Sequence, residues 1–174
     1  FLTGFGSAYL PISKDEVTEI LTQTLEEARG AAAGPVSLGI HCCGNTDWSV
    51  LLETSVDILN LDAFEYAESL ALYPEAVNAF LERGGIIAWG IVPAGSASEG
   101  QTAESLTEQL VSAINLLVSK GVPAEKLLTA GLITPSCGTG SLDPQLAERV
   151  LSLTAAVSDL MRARYVPTPT VSVS

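Results

Sequence analysis

Along nearly its whole length the chain alternates between short apolar runs of strand type and longer stretches of helical periodicity. No other feature constrains the fold as much. A strand, a helix and a second strand in succession bring the chain back parallel to itself. Apolar runs over 36–41, 58–62, 86–90 and 127–134 predict four such strands. Ser13 and Glu16 make a capping box ahead of a helical stripe of Val17, Ile20, Leu21, Thr24, Leu25 and Ala28, closed by Gly30 and a linker over 31–35. A short helix over 46–55 turns Val50, Leu51 and Leu52 inward, and helical pieces follow over 65–72 and 74–83, ended by Gly84 and Gly85. The clearest helix spans 102–120, with Leu106, Leu110, Val111, Ile114, Leu117 and Val118 on one face and Gly121 beyond its end. Asp143 and Pro144 open a last helix that runs to about Arg164.

The expected fold class is therefore α/β, with four parallel βα units in a single domain over 1–165 and a Pro/Thr/Val/Ser tail over 166–174. At 174 residues there is enough chain for one sizeable core and too little for two. Two architectures fit: a small open doubly wound sheet, or the C-terminal half of a (β/α)8 TIM barrel, which needs about 250 residues in full. The chain starts at Phe1 with no signal-peptide pattern, and the expectation is that a first half precedes it. Four units alone leave two open sheet edges, so the missing N-terminal half or a second copy should cover them.

Charge narrows the partners. Twenty acidic residues against eight basic ones give −12, a surface that repels phosphate backbones, so no nucleic acid is expected. Mean hydropathy is high at +0.36. Polar, acidic or glycine residues nevertheless break every apolar run before the ~18 residues of a membrane span, and no basic amphipathic stretch suggests membrane docking. Three cysteines, an odd number, do not make a secreted disulfide framework, and a reducing cytoplasm suits them better.

The reactive residues collect at the carboxyl ends of the strands, where parallel α/β proteins build their sites. His41 and Cys43, two apart, point the same way in extended chain. Cys137 arrives from the loop after the last strand. One imidazole and two thiolates, with a carboxylate as a fourth ligand, match the preference of zinc for a tetrahedron of nitrogen and sulfur. The alternative is a packing role, with the cysteines as small hydrophobes and His41 hydrogen-bonded to a neighbouring strand. Cys42 faces the other way and reads as core. No serine has a spare histidine for a triad, since His41 is the single histidine. Gly4-Phe5-Gly6 and Gly138-Thr139-Gly140 lack a dinucleotide fingerprint. No catalytic residue is expected beyond the metal ligands.

The run His41-Cys42-Cys43-Gly44-Asn45-Thr46 resembles the His-x-Cys signature of the cobalamin-independent methionine synthase catalytic barrel. It is similar also to the His-x-Cys-Gly-Asn-Thr form of the corrinoid:coenzyme M methyltransferases and the uroporphyrinogen decarboxylase superfamily. Thr134-Pro135-Ser136-Cys137-Gly138 resembles the Pro-x-Cys-Gly run that ends that barrel and supplies its last zinc ligand, and Phe1 to Pro11 resembles the stretch after its Asp-Glu-Pro motif. The resemblance spans essentially the whole chain as the second half of the barrel. It implies a Zn2+-dependent methyltransferase that moves a methyl group to a thiol such as homocysteine, in methionine biosynthesis. The donor it implies is a methylcorrinoid protein or methyltetrahydrofolate.

It implies zinc on His41, Cys43 and Cys137, with a further carboxylate that strand register assigns to Asp62 and residue count to Glu65. Asn45, Trp89 and Gly138 are candidates for the substrate pocket. Folate-using members carry a histidine in the loop after the third strand, where this chain has Trp89-Gly90-Ile91-Val92-Pro93. A methylcorrinoid needs no proton on its leaving group, so the pattern leans toward a corrinoid donor. The alternatives are a corrinoid:coenzyme M-type methyltransferase, a uroporphyrinogen decarboxylase-like enzyme holding carboxylates with arginines, and a non-catalytic metal-binding domain.

Overall fold

Ser13 opens the first helix, α1 (Lys14–Ala31). Its backbone N–H donates to Glu16 Oε2 at 2.8 Å and its Oγ accepts from the Glu16 N–H at 3.2 Å. The expected capping box is thus present in the computed structural model, which describes residues 12–166. Residues 1–11 and 167–174 lie outside the described residues, and with them the Phe1–Pro11 stretch, Gly4-Phe5-Gly6 and nearly all of the tail. Four strands follow: β1 (Gly39–Cys42), β2 (Ile58–Leu61), β3 (Ile86–Val92) and β4 (Gly131–Pro135). They alternate with α2 (Trp48–Leu52), α3 (Ala63–Leu70) with α4 (Pro74–Glu82), α5 (Ala103–Ser119) with α6 (Ala124–Thr129), and finally α7 (Pro144–Tyr165).

All three strand pairings are parallel, and the spatial order is β1-β2-β3-β4. Each crossover steps one strand in the same direction; with the right-handed connection that parallel βαβ units take, such steps put the crossover helices on one face of the sheet. A doubly wound sheet reverses direction to place helices on both faces; this sheet has no reversal. The chain is therefore α/β, a four-stranded parallel sheet alternating with helices, consistent with part of a barrel. The helix-covered face carries Leu59, Leu61, Ile87 and Trp89, buried with Phe80, Leu106, Leu110 and Leu117. In the register His41↔Asn60↔Ala88↔Leu132, the opposite face is half open: His41 is exposed and Leu132 is 46% exposed.

Two boundaries differ from those expected. The first strand begins at Gly39 rather than at position 36, because residues 36–38 are engaged sideways. Arg29 Nη1 donates to the Val36 carbonyl at 2.9 Å, and the Leu38 N–H donates to Asp57 Oδ2 at 2.8 Å. The apolar run 127–134 is not one strand. Its first part closes the short helix α6, with the Leu127 N–H donating to the Pro123 carbonyl, and only Gly131–Pro135 is β4. A short apolar run fits a buried helix turn as well as a strand, and Leu127 satisfies either by being buried. The other elements fall within a few residues of expectation. On α5, Val118 is 37% exposed although it continues the apolar stripe.

Gly90 shows why the sheet can bend where it does. A Cβ at this position would press into the Leu61 carbonyl oxygen of β2 and lie 2.9 Å from both the Pro135 oxygen of β4 and Cα of Ser136, the residue just after it. The strands on either side therefore close over β3 at Gly90, where the register also shifts between Gly90 and Val92.

Candidate metal centre

His41 lies on β1 and Cys43 is the first residue beyond it; Cys137 lies two residues beyond β4. One ligand atom from each of the three falls within 4.8 Å of the others. In a flat sheet, β1 and β4 would stand three strand spacings apart, about 14 Å. The gap closes because the sheet curls toward the face that bears His41 and because the chain after β4 is drawn over β3. The Ser136 N–H donates to the Val92 carbonyl at 2.8 Å, and Ser136 Oγ accepts from the Ala94 N–H at 3.1 Å. Buried Ser136 is thus a peg that delivers the neighbouring Cys137 to the site.

The donor set suits a metal ion. A tetrahedral zinc with Zn–S near ~2.3 Å and Zn–N near ~2.0–2.1 Å needs its ligand atoms about 3.5–3.8 Å apart. Side chains within 4.8 Å reach that spacing by closing about 1 Å, and all three are exposed.

Asn60 was not foreseen in the sequence. Its Oδ1 lies 2.6 Å from His41 Nδ1, while its Nδ2 donates to the Ala88 carbonyl and to Thr134 Oγ1, both at 2.9 Å. One amide therefore links β1, β2, β3 and β4 on the concave face. A single amide within the apolar run Ile58-Leu59-Asn60-Leu61, in step with His41, was the available signal.

The carboxylate candidates stand beside the cluster rather than within it. Asp62 follows β2, its N–H donating to the Cys42 carbonyl at 3.3 Å, and its Oδ1 caps α3 by accepting from the Glu65 N–H at 3.0 Å. Partial burial pushes its carboxyl above the ordinary range, against the pull of the Glu65 amide; His41 acts on it through space in the lowering direction. Glu65 is exposed in the first turn of α3, its backbone serving the cap. Asn45 and Gly138 are exposed beside Cys43 and Cys137. Trp89 does not line the site. One residue out of step with Ala88, it points to the helix side, 1% exposed in the core, because side chains alternate along a strand. Cys42 takes that same side, half-buried against the core, its Sγ donating to the Gly44 carbonyl.

The arginines serve elsewhere. Arg29 holds the Val36 and Ser55 carbonyls and Asp57; Arg83 holds the Leu52 and Val56 carbonyls. Arg149 gathers the Ser98, Glu99 and Gln101 carbonyls, and Arg164 pairs with Glu108. Among the described residues no helix is long and apolar enough to cross a membrane. No protein-family model matches the chain, and no curated protein or solved structure matches it either.

Proposed function

We propose that His41, Cys43 and Cys137 hold a zinc ion and that the chain is the C-terminal half of a (β/α)8 barrel that transfers a methyl group to a thiol. The convergence of one imidazole and two thiols from opposite ends of the sheet carries this reading. Two further observations support it: the sequential, one-directional strand order of a barrel segment, and the placement of the cluster at the strands' carboxyl ends. Zinc held there by three protein ligands would leave a fourth position for a substrate thiol, lower its pKa and keep its sulfur as a thiolate.

The chain's own residues account for the rest. His41 and Cys43 present their donors from β1, Ser136 carries Cys137 to meet them, and the exposed concave face leaves room for acceptor and donor to approach. In the transfer, the thiolate sulfur forms a bond to the methyl carbon as the carbon–donor bond breaks, and the donor departs with the bonding pair. A cobalt(III) methylcorrinoid leaves as a reduced corrinoid without needing a proton. A methylfolate nitrogen needs one, and the chain offers no histidine besides His41. The proposed donor is therefore a methylated corrinoid protein, with homocysteine as the acceptor type. The decarboxylase alternative is disfavoured among the described residues, because Arg29, Arg83, Arg149 and Arg164 are committed to carbonyls and carboxylates, and Arg162 lies on α7 beside Ser158. The other half of such a barrel, or a second copy, would pair with the open edges at β1 and β4.

Elemental analysis of the purified protein tests the centre: about one zinc per chain is expected, lost in Cys43→Ser and in Cys137→Ser. Thiol methylation is then assayed with methylcobalamin and with methyltetrahydrofolate side by side in the complete barrel. Unchanged metal content in both variants overturns the centre, and faster turnover with the folate overturns the donor assignment.

A further inference from the structure

We infer that Asn60 is a positioning residue that fixes the tautomer of His41, so that Nε2 is the atom His41 presents to the metal. The inference rests on the zinc reading above and adds to it an assignment that follows from hydrogen-bond polarity alone. The Ala88 main-chain carbonyl can only accept, so the amide group facing it at 2.9 Å must be the Asn60 nitrogen. Turning the amide over would set two carbonyl oxygens against each other and would also remove the donor to Thr134 Oγ1. The orientation of the amide is therefore determined by its partners on β3 and β4. Its oxygen is left facing His41 Nδ1 at 2.6 Å, and an amide oxygen cannot donate. Nδ1 must carry the hydrogen. In a neutral imidazole that leaves the lone pair on Nε2, the form a metal takes without first displacing a proton from the ring.

The same contacts constrain the ring's direction. Asn60 is tied on its nitrogen side to two strands that do not bear His41. The imidazole is thereby referenced to β3 and β4, the strands nearest Cys137, rather than to β1 alone. An exposed histidine at the end of a four-residue strand would otherwise sample several rotamers. Holding one of them removes part of the ordering that metal binding would require. Outer partners of metal-bound histidines typically matter by about 10–100-fold in metal affinity.

His41 is the single histidine of the chain, so selective 15N-histidine labelling reports on this ring alone. The metal-free protein at alkaline pH should show a predominantly Nδ1-protonated ring in two-bond 1H–15N spectra. In Asn60→Ala the ring should revert to the tautomer mixture of a free imidazole. Chelator competition should show zinc affinity falling by about 10–100-fold in that variant. Thr134→Val, which keeps the Ala88 anchor, should lose less. Cobalt(II) added to Asn60→Ala at saturating concentration should still give thiolate-to-metal charge-transfer bands, because both cysteines remain. An Nε2-protonated ring in the parent protein overturns the inference without any variant having to fold. Unchanged tautomer and affinity in a folded Asn60→Ala protein overturns it too. If the parent protein takes up no zinc at all, the metal centre itself fails, and that result is seen before any Asn60 variant is made.

Discussion

Replacing Gly90 by alanine should test both the curl of the sheet and its connection to the site. A Cβ there would press into the Leu61 carbonyl oxygen and sit 2.9 Å from Pro135 O and Ser136 Cα. Ordinary contacts of these types lie at about 3.2–3.7 Å, so each neighbouring strand must retreat by some tenths of an ångström to about 1 Å. The obstacles are backbone on both sides and cannot rotate away, which places the substitution toward the upper part of the ~1–3 kcal/mol range for overpacking. We expect a loss of about 2–3 kcal/mol in urea unfolding, or roughly 4–12 °C in Tm for a chain of this size. Ser136 is among the groups displaced and Cys137 is its neighbour, so zinc affinity should fall in the same variant while both cysteines remain reduced and present. Gly30→Ala is the control: a Cβ at that helix end meets nothing within 4 Å, and stability should hold or rise slightly. A Gly90→Ala protein within about 0.5 kcal/mol of the parent, or one that binds zinc undiminished, would refute the close approach of the strands over β3.

Further outcomes follow from local contacts. Cys42→Ser should leave zinc content intact, since Cys42 faces the core and lies outside the cluster; a loss of metal equal to that in Cys43→Ser would contradict the assigned faces. Ser13→Ala removes the α1 cap and should lower stability by about 0.5–2 kcal/mol, measured by urea unfolding. The Leu38 amide, opposed by burial and aided by Arg29, holds the Asp57 carboxyl below its ordinary range. Its contribution is therefore present above the unfolded pKa and is lost as pH falls through the folded one. Asp57→Asn should then be less stable than the parent at pH 7, by under about 1 kcal/mol because the Arg29 pair is more than a third exposed. The difference should vanish in acid, and one that instead widens toward low pH would reverse the assigned sign.

Much of this architecture is legible in the sequence because its determinants are local. A capping box joins residues three apart, α5 follows from its apolar spacing, and the start of α7 follows from Asp143 and Pro144. The shared direction of His41 and Cys43 follows from strand alternation alone. Where local signals are ambiguous, tertiary contacts decide. Leu127 and Leu128 fit a strand or a helix turn equally well, and packing against the core makes them helix. Residues 36–38 have strand composition, but Arg29 and Asp57 take their polar groups. Register offered Asp62 as the carboxylate ligand, whereas the start of α3 takes its carboxylate as a cap. Alternation turns Trp89 into the core, out of the pocket proposed for it. The meeting of Cys137 with His41 and Cys43, and the bridging of four strands by Asn60, depend on how far the sheet curls at Gly90. That curl is summed over every strand pair between β1 and β4, and no local stretch of sequence encodes it.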